Sequence, residues 1–510
     1  MDSKSYTPLL SFFGKAEQAS YHEQDLEDYA NNPLIEALPP ILLGDEPEKL
    51  LARYPAYKEE DRKLAPELRY HLTQKVTQFF QPLPVHLDLQ QRISCMLRMG
   101  YVGRNPILRG FWSNLEGKLE TFKLNIATPP GEQYTQLLPV TALGFTIVGM
   151  SGIGKTRAME AILSLYPQLI IHSKHKEKNF NWLQVVWLKL ECPHDGSTKG
   201  LCQNFLAALD TVLGTNYYKQ FGRNGSASKN EMLKHIARLA SIHTLGMLVI
   251  DEVQRVSRAK SGGVGEMLNF FTELVNTIGV PIVLVGTYKA LSVLMGEFHQ
   301  ARRGSGQGDL IWNPMKEDEE WQLFVESLWD YQYTAEKCDI TPELIHTLYE
   351  VSQGITDIAV KAYMLAQRRA ITTGQEVIDE SMILSVAGDS IRLANYVLSA
   401  MRNGRLYELI DVEDVHFQHI AGSPKVPDQE MPPKPKTRRA DTSRKQPDGT
   451  SSPRTHDDTV PKIDANLLKG GLQEITAQAE KSDVTWYEAL KEAQYIKSTE
   501  NYLVEEVIGG

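Results

Sequence analysis

The sequence predicts an α/β fold, a parallel sheet flanked by helices, and three stretches carry that prediction. Gly149-Met150-Ser151-Gly152-Ile153-Gly154-Lys155-Thr156 joins an apolar run at 143–148 to a segment of helical spacing at 157–163. Leu245-Gly246-Met247-Leu248-Val249-Ile250 ends in the adjacent carboxylates Asp251 and Glu252. Val280-Pro281-Ile282-Val283-Leu284-Val285-Gly286 ends in the polar Thr287. Short apolar runs of this kind are buried strands, and ligands bind at their C-terminal ends in open α/β sheets.

The first stretch has the pattern G-x-x-x-x-G-K-[ST] between a strand and a helix. Gly149, Gly152 and Gly154 let the loop N–H groups, those of Ser151 and Ile153 included, wrap phosphate oxygens. The helix N-terminus at Thr156 and Arg157 adds partial positive charge. Lys155 supplies a full charge for the β- and γ-phosphates, and Thr156 is placed to ligate Mg²⁺. A glycine-rich turn with a chance lysine is the competing reading, and the flanking strand and helix weigh against it. The expectation is a site for ATP with Mg²⁺. In the second stretch Asp251 acts on the metal, and Glu252 polarises the attacking water as general base. Thr287 is a candidate contact to the γ-phosphate or the water, with a strand-end threonine that satisfies the backbone as the equal alternative.

At 510 residues the chain exceeds a single core, so two to four units are expected. Hydrophobic residues at 42% and charged ones at 23% describe an ordinary soluble protein. A net charge of −10 argues against a globally basic nucleic-acid coat but leaves room for a local basic face. Cys95, Cys192, Cys202 and Cys338 form no C-x-x-C pair, so buried reduced thiols in a cytoplasmic protein are the default. No apolar run reaches membrane-spanning length, and the N-terminus lacks a signal-peptide core.

Five segments follow along the chain. Residues 1–106 read as a mostly helical N-terminal extension: prolines 33, 39, 40, 47 and 55 break its start, and Leu89, Ile93, Met96 and Leu97 mark a later helix face. An isolated helical domain and an adaptor laid over the next one both suit it. Residues 107–315 are the α/β core. Its second strand is read as 185–190, followed by the loop 191–200 and a helix carrying Leu201, Phe205, Leu206 and Leu209. A further helix spans 231–241, and Met267, Leu268, Phe271, Leu274 and Val275 share the face of another. Leu310-Ile311-Trp312 reads as a fifth strand. The pair Arg302-Arg303 just before it is either a solvated face or an arginine finger that reaches a neighbour's γ-phosphate. Residues 316–410 form a helical lid, with Trp321, Phe324, Val325, Leu328 and Trp329 on one face. Lys361, Arg368 and Arg369 are nucleotide sensors or, the better reading, helix-surface charge. Residues 411–464, rich in Pro, Lys, Arg, Ser, Thr and Asp, bury too little to offset their ordering entropy and read as a disordered linker. Residues 465–510 regain helical apolar spacing at Leu467, Leu468, Leu472 and Ile475, which suits a tethered, partner-binding tail, with a helix folded back on the core as the rival reading.

Taken together, the glycine loop at 149–156, the acidic strand end at 247–252, Thr287, Arg302-Arg303 and the helical lid resemble an AAA+ P-loop ATPase. Gly100-Tyr101-Val102-Gly103-Arg104-Asn105-Pro106, the loop 193–202, Asp251-Glu252-Val253-Gln254 and Gly354-Ile355-Thr356-Asp357 resemble the TnsC/TniB transposition regulators, the TnsC branch above all. The resemblance covers roughly residues 90 to 400. It implies an ATPase that assembles into a ring or filament on duplex DNA without reading its sequence. Such a protein links a target-selection protein to transposase subunits. It further implies that Arg302 or Arg303 completes the site of an adjacent subunit, and that Thr198 and Lys199 touch DNA phosphates. No acidic triad on a ribonuclease-H-like pattern is present, so DNA cleavage belongs to partners. The rival reading is a signalling NTPase that oligomerises on a protein ligand without DNA; helicase motifs and a kinase acceptor site are absent.

Overall fold

The computed structural model describes residues 16–108, 142–222, 229–258, 263–290, 308–390, 398 and 401–402. All lie in the first of the chain's two units, 1–421. Arg302, Arg303 and residues 411–510 fall outside them.

Five parallel strands form the central sheet: β2 (Gly144–Gly149), β5 (Trp187–Glu191), β6 (Met247–Asp251), β7 (Ile282–Gly286) and β8 (Leu310–Trp312). Their order is β5-β6-β7-β2-β8. Every residue of β2, β6 and β7 is buried, as continuous apolar runs require when helices cover both faces of a sheet. The period-2 alternation of a strand then sorts the side chains. Leu248, Ile250, Ile282 and Leu284 join one core with the helices α6 (Thr198–Leu213), α7 (Lys229–Ile242) and α8 (Gly263–Glu273). Met247, Val249, Val283 and Val285 join a second with α4 (Pro84–Val102) and α5 (Lys155–Leu163). The AAA+ P-loop fold expected from the sequence is present, with its parallel sheet and flanking helices.

Val185 does not belong to this sheet, which corrects the reading of 185–190 as one strand. It ends a hairpin of β3 (Leu169–His175) and β4 (Lys178–Val185), to which β1 (Ala16–Gln18) adds a third strand. Val186 makes the crossing: its N–H donates to Gln168 O at 2.9 Å, and β5 starts at the next residue. The thiols also depart from expectation. Cys192 and Cys202 are buried, but Cys338 is half-buried and Cys95 is exposed. Burial pushes the Cys192 thiol up to about 12, so that sulfur stays protonated and inert.

The N-terminal segment carries α1 (Pro33–Glu36), α2 (Glu46–Leu51) and α3 (Pro66–Leu72) ahead of α4. Leu34, Ile35, Leu38 and Leu51 are fully buried in the second core of the sheet. The 100–106 stretch turns out to hold this segment in place. Tyr101 Oη donates to Thr244 O at 3.0 Å, Arg104 Nη1 to Leu245 O at 2.6 Å, and Asn105 Nδ2 to Asn31 O at 2.8 Å. A Cβ on Gly100 would lie 2.4 Å from Pro281 Cγ, so only glycine lets α4 lie this close to the start of β7.

The lid is α9 (Glu319–Trp329), α10 (Pro342–Ser352), α11 (Thr356–Thr373) and α12 (Glu380–Ser390) around a third core. Residues 57–80 fasten to it. Arg69 forks onto both carboxylate oxygens of Glu376 at 2.6 Å, Arg62 Nε donates to Thr334 O at 2.9 Å, and Arg368 Nε donates to Thr73 Oγ1 at 2.9 Å. Phe79 packs in the lid core and its neighbour Phe80 in a core of the sheet. Among the described residues no helix is long and apolar enough to cross a membrane.

Candidate nucleotide-binding site

The loop between β2 and α5 turns on two glycines in the left-handed region, Gly152 at φ +80 and Gly154 at φ +104. Lys155 is almost fully buried, and its Nζ donates to Gly149 O at 2.8 Å and Met150 O at 2.6 Å. Those carbonyls fix the ammonium at the mouth of the loop. From the end of β6, Asp251 Oδ2 accepts from Thr156 Oγ1 at 2.8 Å and stands 3.6 Å from Lys189 Nζ on β5. The two expected Mg²⁺ ligands are thus brought together. Among the described residues no group of three or more His, Cys, Asp or Glu forms a metal cage. A donor set of one hydroxyl and one carboxylate suits Mg²⁺, which keeps waters and takes its remaining ligands from phosphates. A cradle of two left-handed glycines beside a buried lysine suits the phosphates themselves.

Glu252 adopts φ +60, a conformation that costs a non-glycine residue about 1 kcal/mol or more. Its neighbours hold it there. Gln254 Nε2 donates to Glu252 Oε2 at 2.9 Å, while Gln254 Oε1 accepts from Thr287 N at 3.1 Å. Gln254 therefore ties the candidate base to the end of β7, a role that no spacing in the sequence announces. Arg255 Nη2 lies 3.4 Å from Glu252 Oε2, and its Nη1 donates to Glu191 Oε2 at 3.2 Å and Cys192 O at 3.0 Å.

Lys155, Thr156, Asp251, Glu252, Gln254 and Thr287 line a cavity of about 730 Å³ with Ser151, Gly152, Ile153, Gly154 and Arg157. Its other wall comes from residues 74–86, β8 and the lid. The Gly354-Ile355-Thr356-Asp357 turn closes onto the glycine loop: Thr356 Oγ1 donates to Ile153 O at 3.3 Å and Asp357 N to Gly152 O at 3.2 Å. Lys361 lines the cavity and pairs with Asp357 at 2.5 Å. Arg368 and Arg369 are spent elsewhere, on Thr73 and on Asp389. Thr198 and Lys199 lie at the first turn of α6, apart from the cavity. Lys199 is exposed; the Thr198 side chain is buried, and its hydroxyl has no partner among the described residues.

Gly354 is at φ +72, and a Cβ there would stand 2.0 Å from Met315 O. Gly354→Ala therefore combines backbone strain with a clash against main chain that also donates Met315 N to Gly354 O. We expect a loss of about 2 kcal/mol or more in chemical denaturation. An unchanged midpoint would show that the turn relaxes freely.

Residues 141–294 match a family model described as an AAA domain. No curated protein sequence matches the chain. Solved structures similar to it include a Walker-type ATPase of Pyrococcus abyssi, at 14% identity and a TM-score of 0.33, over 58% of this chain and 73% of that one. Two others are the ORC2 protein of Aeropyrum pernix in ADPNP–ADP complexes (15% identity, TM-score 0.32, 56% and 69% covered) and Cdc6p of Pyrobaculum aerophilum (14%, 0.32, 54% and 65%). The matched region contains the glycine loop, Asp251, Glu252 and Thr287.

Proposed function

We propose that this AAA ATPase is a regulator of DNA transposition that binds ATP with Mg²⁺, oligomerises on duplex DNA and links a target-selection protein to the transposase. The observation that carries the nucleotide part is the continuous chain of contacts Thr156–Asp251–Glu252–Gln254–Thr287, which joins the first turn of α5 to the ends of β6 and β7 beside Lys155. Mg²⁺ bound with the nucleotide neutralises charge on the β- and γ-phosphates. Thr156 and Asp251 would hold it, Lys155 and the loop amides would hold the phosphates, and Glu252 would take the proton from water. Thr287 and Gln254 orient that carboxylate.

The transposition part rests on the resemblance of 100–106, 193–202, 251–254 and 354–357 to the TnsC branch. In this reading Arg302 or Arg303 serves the site of the next subunit in a ring or filament. Residues 1–106 extend the ATPase core 107–315, 316–410 form its lid, 411–464 a tether and 465–510 a tail that captures transposase subunits. Lys199, exposed at the start of α6, is the better placed of the two DNA candidates.

ATPase assays with and without duplex DNA test this reading. Stimulation by DNA regardless of sequence is expected, together with ATP-dependent binding that weakens steeply with salt. Lys199→Ala should reduce the salt slope by about one if each subunit loses one phosphate contact. Indifference of turnover and assembly to DNA would favour a signalling ATPase that oligomerises on a protein ligand.

A further inference from the structure

The cavity wall formed by residues 74–86 and β8 takes no part in the phosphate chemistry above, yet it contains a polar side chain with an unused donor. His86, in the first turn of α4, is only 5% exposed and lines the cavity. Its Nδ1 accepts from Leu83 N at 2.8 Å. A backbone amide only donates, so Nδ1 is the acceptor and a neutral ring carries its proton on Nε2. Burial drives the His86 pKa down to about 4, which keeps the ring neutral at physiological pH. The Nε2–H finds no acceptor among the described residues, and it is not sealed off from the cavity. Beside the ring stand Phe80, at 4.8 Å between centroids, and Trp312, at 5.2 Å.

A fixed neutral donor beside aromatic side chains, in the cavity that also holds Lys155, suits a flat heteroaromatic ring with an in-plane nitrogen lone pair. We propose that His86 reads the base of the nucleotide, its Nε2–H donating to a ring nitrogen of adenine packed against Phe80 and Trp312. This inference rests on the nucleotide reading of the cavity and adds the group that separates a nucleotide from a bare polyphosphate. It makes His86 a specificity-determining residue, with no part in hydrolysis.

The test is calorimetric binding of ATP and of inorganic tripolyphosphate, both with Mg²⁺, to the full chain. His86→Asn keeps an oxygen near Nδ1 for the Leu83 amide and removes the donor at Nε2. The expected result is about 5–10-fold weaker ATP binding, the worth of one neutral hydrogen bond, with tripolyphosphate unchanged. His86→Gln, which returns a donor near Nε2, should recover part of the loss. On the wild type, one of 1-deaza-, 3-deaza- and 7-deaza-ATP should bind more weakly by a similar factor, and that penalty should vanish in His86→Asn. Unchanged ATP affinity in His86→Asn, or three deaza analogues that all bind like ATP, would overturn the proposal while leaving the phosphate site intact. Equal losses for ATP and tripolyphosphate would overturn it too, by assigning the effect to the fold. A wild type that binds neither ligand would remove the nucleotide reading itself.

Discussion

Lys155→Ala should reduce ATP affinity by about 10²-fold or more, enough to abolish binding at ordinary assay concentrations. Hydrogen bonds to a charged group are worth about 1.5–3 kcal/mol each, and this ammonium is the main positive charge set among the phosphate-binding amides. The side chain is buried and pinned by Gly149 O and Met150 O, so no flexible surface lysine substitutes for it. Neighbouring Lys189 is committed to Glu160 at 2.6 Å and to Asp251. Titration with ATP and Mg²⁺ measures the effect directly. ATP-dependent assembly that survives the substitution would break the link between nucleotide and oligomer.

Glu252→Gln should leave ATP bound and slow its hydrolysis by a factor of order 10²–10⁴, the usual worth of a positioned general base. The phosphate and metal groups Lys155, Thr156 and Asp251 are untouched by it. A glutamine retains an oxygen for Gln254 Nε2, and Arg255 retains Glu191 and Cys192 O, so the left-handed turn at 252 keeps most of its support. Single-turnover hydrolysis with saturating ATP gives the rate. If the variant turns over near the wild-type rate, another group is the base.

The parts legible in the sequence share a property: their signal is local. The glycine loop, the acidic strand end and the apolar faces of α9 and α10 each lie within a dozen or so consecutive residues, where period and composition speak for themselves. The hairpin at 169–185 carries no such signal: residues 178–184 mix Lys, Asn, Phe, Trp, Leu and Gln without a clean apolar run. Its last residue, Val185, then runs into Val186 and Trp187 with no turn signal, because the strand change is imposed by Gln168, His243 and Gly246 from other segments. The base-side wall was hidden for a similar reason. Phe80, His86 and Trp312 meet only after folding, and each alone is an ordinary core residue. Gln254 lies in one of the stretches that carry the family resemblance, but its two-sided grip on Glu252 and Thr287 needs the register of β6 against β7.

The clasp between Arg69 and Glu376 joins residues 307 positions apart. At a translation rate of about 5–20 residues per second, the arginine waits roughly 15–60 s for its carboxylate to be made. For most of that interval, until Phe324 and Tyr331 are made, Phe79 lacks the lid rings it packs against, whereas Leu34, Ile35 and Phe80 gain sheet-core neighbours earlier in synthesis. The newborn chain thus carries an unfinished aromatic surface beside an already closing sheet. A ribosome-stalled chain ending before residue 319 should bind a chaperone or a hydrophobic dye through residues 57–80, and the completed protein should not.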